Sequence, residues 1–511
     1  MKLLFVNPSL RPEANHRYLP VGLGYVATYA KHAGYNFDIL DIDIGGYDDA
    51  YVENFLAKNK YDVIALGAIV THYKWIKWFI NTAKRLHPNC KVILGNSVGA
   101  SIPEVIFRTT AVDAAIMGEA EITFVEVLKT LEAGRPLGEI DEPQEPIPHT
   151  NCDLEPTYKG HGVEGVIFRD EQDRIINNGR RKAVRKLDDL PFPEWEIFDV
   201  EQYIRRSHEW AHPTTFYPKE EAVIIPIHTA RGCVFKCTFC HYVFWNDPYR
   251  HRSAESIISE IELNKKKFGA NYFFFWDDLS FHKLGPAEKF VDALLEADLG
   301  VHWTASVRSD LFGRAEIPYE DRRRIAEKFL KSGNLVAGYS LESGSDEILE
   351  AMNKRVKAEY FAEQTKLLRD VGIVVNTSVV IGYPQETKET IAQTMRMCEK
   401  LKIYPSVGFL LPLPETGMWK YAVDNGYITD PDAFLESVTE RQDVILNMTK
   451  MGDDEIMDEV TGWLAHLNEV LGRNLDDKSL IRTGGYSKHN KYQSEKKAKE
   501  SLNYAKVADT L

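Results

Sequence analysis

Over its first 135 residues the chain switches repeatedly between two hydrophobic periods. Short β-rich runs at 3–6, 37–42, 63–66, 92–94 and 114–117 alternate with stretches at 23–32, 51–58, 75–86, 103–108 and 122–131, whose apolar residues recur at helical spacing. Apolar strands separated by amphipathic helices predict an α/β fold built on a doubly wound parallel sheet, covered on both faces. Such a sheet takes its ligand at the carboxyl ends of its strands, near the switch point.

The pattern then changes. Pro136, Pro143, Pro146 and Pro148 mark a linker, and apolar runs at 165–169 and 174–177 around Asp170-Glu171-Gln172-Asp173 predict a β-hairpin. Residues 187–193, LDDLPFP, read as a proline-stiffened strap without chemistry. Alternation resumes with strands expected at 223–227, 272–276, 302–307, 335–341, 374–381 and 407–411, and a helix at 253–268 started by Ser253 with Glu255 in its first turn. Near the end, Ile456, Met457, Val460, Trp463, Leu464, Leu467, Val470 and Leu471 share one helical face, the pattern of a core helix. From Gly484 the chain is polar and lysine-rich, which predicts a solvated helix or frayed tail. These changes divide the chain at 1–135, 136–215, 216–430 and 431–511.

Length and charge narrow the function. With 511 residues and 44% hydrophobic content, most of the chain folds into about three domains. A net charge of −14 argues against a bare nucleic-acid surface, which needs clustered Lys and Arg. No run of about 18 apolar residues and no signal-peptide pattern occurs, so a cytoplasmic protein without a membrane partner is expected. Of the 6 cysteines, Cys90, Cys152 and Cys398 are scattered, so no disulfide framework is expected.

The other three stand at CxxxCxxC spacing, Cys233, Cys237 and Cys240, in ARGCVFKCTFCH. A cubane iron-sulfur cluster offers four iron corners to thiolates, so three cysteines leave one corner open. The alternative is zinc with His241 or His228 as fourth ligand, but no second CxxC pair accompanies the motif. The spacing, the preceding Arg231-Gly232 and the aromatic Phe239 resemble the radical S-adenosylmethionine (SAM) family. That resemblance implies a [4Fe-4S] cluster on the three cysteines, SAM on the open iron, Phe239 near its adenine, and an open six-unit partial TIM barrel at 216–430. Polar residues at its strand ends are the implied SAM contacts: Asp277, Arg308, Ser340 and Glu342, with the backbones of Gly382 and Leu411.

The first sheet's loops carry small residues: Pro20-Val21-Gly22-Leu23-Gly24, Gly67 to His72, Gly95-Asn96-Ser97-Val98-Gly99 and Gly118-Glu119-Ala120-Glu121. Upstream of such a core they look like the cobalamin-binding domain of one branch of the family, a Rossmann- or flavodoxin-like module. The implied cobalamin contacts are Leu23, Gly95, Asn96, Ser97, Gly118, Glu119 and Glu121, with Thr71, His72 or Tyr73 under the cobalt. No DxHxxG motif is present, as is common in this branch. The implied activity is a methyltransferase that moves a methyl group from SAM, via methylcobalamin, to an unactivated carbon of a small molecule or peptide. An electron donor such as flavodoxin or ferredoxin would drive it. Oxidative cyclisation or ring rearrangement with the same cofactors, and a non-catalytic corrinoid carrier or sensor, are the alternatives.

Overall fold

The computed structural model describes residues 1–10, 17–141, 157–207, 221–241, 247–439 and 441–481. Pro143, Pro146, Pro148, Cys152 and the tail from Gly484 lie outside them.

Strands β1 (Leu3–Asn7), β2 (Phe37–Asp41), β3 (Val63–Gly67), β4 (Lys91–Gly95) and β5 (Ala114–Ile116) form a parallel sheet in the order 2-1-3-4-5, as the alternation predicted. Helices Val21–His32 and Ala120–Glu132 cover one face and helices Asp49–Lys58 and Tyr73–Leu86 the other, giving two apolar clusters separated by the strands. The sheet does not end at β5. Strands β6 (Gly138–Ile140), β7 (Thr157–Gly162), β8 (Val166–Arg169) and β9 (Ile175–Asn177) continue it, with β8 antiparallel to β5, to nine strands. The expected hairpin is β8 and β9, but it adds to this sheet rather than forming a separate connector, and so covers an edge that would otherwise expose backbone donors. The strap beyond it packs under the first helix. A ring carbon of Trp195 lies 2.8 Å from where a Cβ on Gly24 would stand, so this glycine admits the indole.

The second sheet contains β10 (Ile224–Ile227), while β11 (Ala230–Arg231) and β12 (Arg250–His251) form a small antiparallel clasp beside it. Strands β13 (Tyr272–Phe275), β14 (His302–Ser306), β15 (Asn334–Gly338) and β16 (Val374–Asn376) follow β10 in parallel order. The strand expected at 374–381 is broken at Thr377, whose hydroxyl accepts the Leu341 amide at 2.9 Å. It resumes as β17 (Ser378–Ile381), pairs with β18 (Ser406–Phe409), and joins the main sheet through a bridge between Glu342 and Val379. Six strand positions thus form an open, partial barrel.

The described part of the C-terminal region carries two α-helices. Helix Asp453–Val470 packs on helix Lys388–Lys400 and buries Ile456, Met457, Val460, Trp463, Leu464 and Leu467 in the barrel's core. Helix Pro431–Ser437 packs on helix Tyr73–Leu86 of the first sheet. Among the described residues no helix is long and apolar enough to cross a membrane.

Candidate functional site

The cysteine loop leaves the clasp formed by Ala230 with His251 and Arg231 with Arg250. Gly232 turns the chain there at φ +82, a conformation that a side chain would strain. Turns and a helix start of the barrel grip the far side of the loop. The Thr238 amide donates to Met352 O and Thr238 O accepts from the Met418 amide, both at 2.9 Å. The Thr238 hydroxyl lies 2.9 Å from Tyr383 Oη, and Asn353 Nδ2 donates to Lys236 O at 2.7 Å. Cys237 is buried and Cys233 and Cys240 are half-buried; each thiol is pushed up chiefly by burial, and Cys237 adds to the shift at Cys240. One buried and two half-buried thiols in one neighbourhood fit a metal cluster, whose positive charge would favour the thiolates that burial alone disfavours. Among the described residues no group of three His, Cys, Asp or Glu side chains, the three cysteines included, is drawn tightly enough together to enclose a metal ion. His241, the possible fourth zinc ligand, places Nδ1 2.8 Å from Pro414 O instead.

Several strand-end residues do converge on this loop. The Arg308 guanidinium stacks 3.8 Å from the Phe235 ring centre, pairs with Asp310, and donates to Arg355 O at 2.5 Å. Glu342 holds a φ of +60 and accepts from Lys354 Nζ at 2.8 Å. Burial opposes the charge on Lys354, but Glu342 and Cys237 carry its ammonium above the usual range. Lys354 is a site residue that the sequence reading missed: a lone lysine in a turn gives no signal. Ser340 bonds Ser378, hydroxyl to hydroxyl, at 2.8 Å. Phe239 meets Tyr383 edge to face at 6.3 Å. Gly382 takes a φ of +109, and its amide lies 3.4 Å from Glu386. Half-buried Leu411 follows Leu410, whose amide donates to Ile381 O at 2.7 Å.

Asp277 is differently employed. Its carboxylate accepts from the amides of Thr229 at 2.9 Å and Ala230 at 3.1 Å, from Ser280 Oγ at 2.8 Å, and from the Thr229 hydroxyl. It ties β13 to the start of the cysteine loop, which leaves little acceptor capacity for a ligand. Asp278 instead opens towards the loop, and burial followed by the charge of Asp277 pushes its carboxyl up to about 6.

At the first sheet, Gly67 and Gly95 are register partners at adjacent strand ends. A Cβ on Gly67 would come no closer than 3.5 Å to any neighbour, and one on Gly95 only to 4.0 Å. Neither glycine is demanded by packing, and together they leave a bare shelf on which a flat ring can approach the backbone. Ile69 projects beside it, 40% exposed, an apolar contact that the sequence reading did not single out. Leu23 lies half-buried between the cores of the two sheets. Thr71 and His72 lie in the turn after β3; the His72 ring is bonded to the Ser9 backbone, and burial lowers its pKa. Asn96 and Ser97 begin a short helix, Asn96–Ser101, where a loop was expected. Ser97 Oγ accepts the Val70 amide at 2.8 Å, bracing the two loops together.

Three further expectations need correction. Tyr73 is fully buried, and its hydroxyl contacts Asp432 at 2.5 Å and Thr109 at 2.8 Å, so it points into the core rather than under a ligand. Glu119 and Glu121 are engaged by arginines of the barrel. Arg231 reaches Glu119 at 3.0 Å and Glu121 at 2.5 Å, while Arg250 reaches Glu119 at 2.8 Å. All four side chains are less than a tenth exposed. Burial pushes the Glu119 carboxyl up, but Arg231, the Val184 amide and Arg250 together hold it below its usual range. Gly118, at φ +78, packs beside the Arg180 guanidinium as part of the same junction. This latch fixes one strand end of the first sheet to the residue two places before Cys233.

Comparison with known proteins places two families on this architecture. The radical SAM superfamily model matches residues 227–398, and the B12 binding domain model matches residues 11–128. The anaerobic magnesium-protoporphyrin IX monomethyl ester cyclase of Rubrivivax gelatinosus is 25% identical over 404 residues, covering 78% of this chain and 65% of its own. An uncharacterised methyltransferase of Pyrococcus horikoshii is 24% identical over 438 residues, 84% of each chain. The solved structure of the cobalamin-dependent SAM radical enzyme OxsB, with aqua-cobalamin and SAM bound, superposes with a TM-score of 0.62 at 15% identity. That match covers 83% of this chain and 55% of OxsB, and at such identity it speaks for the fold. The chain thus spans less than two thirds of the length of the cyclase and of OxsB.

Proposed function

We propose that this chain, which matches the radical SAM superfamily model over residues 227–398 and the B12 binding domain model over residues 11–128, is a cobalamin-dependent methyltransferase acting on an unactivated carbon. The observation that carries this reading is the latch, in which Glu119 and Glu121 of the first sheet close on Arg231, two residues before the first cluster cysteine. It fixes the B12-binding strand ends beside the cysteine loop, the arrangement that transfer between two cofactors needs.

In this reading Cys233, Cys237 and Cys240 hold the [4Fe-4S] cluster. Arg308 and Lys354 supply positive charge for the SAM carboxylate, and Glu342 with Ser340 faces its polar hydroxyls and ammonium. Phe239 packs against the adenine, and the backbones of Gly382 and Leu411 border it. The shelf of Gly67 and Gly95, with Ile69, Leu23, Thr71 and His72 around it, takes the corrin ring. Bound together, the cofactors supply a 5′-deoxyadenosyl radical and a transferable methyl group. The chain's own work is placement: Asp277, Thr238 and the clasp hold the cysteine loop rigid, and the latch sets its distance from the shelf. A small reducing protein such as flavodoxin or ferredoxin delivers the electron.

Protein purified without oxygen, loaded with hydroxocobalamin and reduced, is expected to form S-adenosylhomocysteine from SAM even without substrate, in an amount matching its cobalt. Release of 5′-deoxyadenosine with no S-adenosylhomocysteine under any condition would reject methyl transfer and favour the oxidative cyclisation suggested by the cyclase among its relatives.

A further inference from the structure

The register across the barrel defines its inner face. Pro226, Phe274, Thr304, Val336 and Val374 stand side by side on β10, β13, β14, β15 and β16. Residues two apart on a strand share a face, so the next row towards the C-terminal ends reads His228, Trp276, Ser306, Gly338 and Asn376, with the His228 ring turned towards Tyr25 and, at 3.8 Å, Asp277. The alternate positions, Phe273, Phe275, Trp303, Ala305, Ala337 and Val375, belong to the large core under the helices. Phe274 therefore faces the lumen, whereas its neighbours on either side are core.

Small barrels of this kind are usually filled by such rows of side chains. Here the upper row is open. Trp276 is 41% exposed, Asn376 is exposed at the end of β16, the last strand of this sheet, and Ser306 and Gly338 are half-buried, while the positions between them are buried. The indole is braced from behind, with ring centres 4.8 Å from Tyr18 and 5.1 Å from Phe274. Across from it, a Cβ on Gly338 would meet nothing nearer than Ala305 O at 3.7 Å, and its φ is not left-handed. The missing side chain is thus what keeps a slot open between Trp276 and Asn376. One step higher on the same strands stand Arg308, Ser340 and Ser378, so an occupant of the slot lies directly beneath the SAM contacts.

We propose that this row is the substrate pocket and that it takes a flat aromatic or heteroaromatic ring carrying an amide-like edge. The ring stacks on Trp276 and the edge pairs with the Asn376 carboxamide, which offers both donors and an acceptor. The inference rests on the enzymatic reading above for the role of the pocket, but the chemistry of the slot is its own observation. The test is equilibrium dialysis of the anoxically purified protein, with the cofactors it holds, against indole-3-carboxamide, cyclohexanecarboxamide and indole. The aromatic carboxamide is expected to bind about tenfold more tightly than the saturated one. Trp276→Leu should weaken it about tenfold, Asn376→Ala should weaken the carboxamide several-fold but not indole, and Gly338→Leu should abolish binding by filling the slot. Equal affinity for the two carboxamides, no binding of indole-3-carboxamide to the wild type, or wild-type affinity in both Trp276→Leu and Gly338→Leu would overturn the proposal. Dialysis reads binding whether or not SAM turns over. Absence of cobalt or of S-adenosylhomocysteine would therefore sink the enzymatic reading while leaving the probe affinities to judge the pocket.

Discussion

Two pairs of carboxylates end parallel strands in this chain, and only one of the four is left open. Glu119 and Glu121 follow β5, Asp277 and Asp278 follow β13, and in sequence each is an acidic pair just past an apolar run. In the fold, Glu119 and Glu121 are sealed by Arg231 and Arg250 and join two sheets. Asp277 is sealed by four donors from its own barrel, and Asp278 alone faces open space near the cysteines. A strand-end carboxylate is thus a ligand contact or a fastening according to whether donors reach it from elsewhere in the chain. For Glu121 that donor comes from 110 residues away.

The comparison can be broken by removing the fastenings one at a time. Arg231→Met leaves Glu121 buried without its cation, so a loss of about 3–5 kcal/mol in denaturant unfolding is expected, together with lower iron retention. Unchanged stability would mean that the junction is not held by this pair. Asp277→Ala strands two amides and two hydroxyls, with an expected loss of about 2–4 kcal/mol. Asp278→Asn should behave in the opposite sense. Burial and the charge of Asp277 push its carboxyl up to about 6 from an ordinary 3.8, and because the side chain also meets solvent the contribution to stability is small: present below about 3.8 and lost as pH rises through 6. The Asn variant should therefore be the more stable protein above pH 6, with the difference closing below pH 4; melting curves at pH 4 and pH 8 decide it. The smallest effect is spectroscopic. The bond to the Ser9 backbone occupies one ring nitrogen of His72 and leaves the other free, so an axial nitrogen splitting in the cob(II)alamin electron paramagnetic resonance that His72→Ala abolishes would put this ring under the cobalt, and its absence would remove His72 from the site.

How much of this was legible in the sequence follows the range of the interactions involved. The cysteine loop, the parallel strands and the helix begun by Ser253 are local patterns, and the fold carries them as read. The break at Thr377 was not legible, because it depends on a hydroxyl meeting the Leu341 amide from the neighbouring strand. Nor were the partners of Tyr73, Glu119 and Glu121, which arrive from distant segments. Gly24 looked like a ligand-facing residue and serves Trp195 instead. Trp276 did leave a trace, since Tyr272, Phe274 and Trp276 alternate with Phe273 and Phe275 at a strand's period of two, but an all-aromatic run conceals which set faces inward.

The helix Pro431–Ser437 has a topological consequence. Its Asp432 and Glu436 clasp Lys77 at 3.0 and 2.6 Å, and Asp432 also meets Tyr73, so the segment that follows the barrel is riveted back onto a helix of the first sheet. With the Arg231 junction on one side and these rivets on another, the sheets cannot swing apart about a single hinge. A guest as bulky as a corrinoid would have to be captured as the chain closes or slide in edgewise, and its washout from the finished protein should be slow.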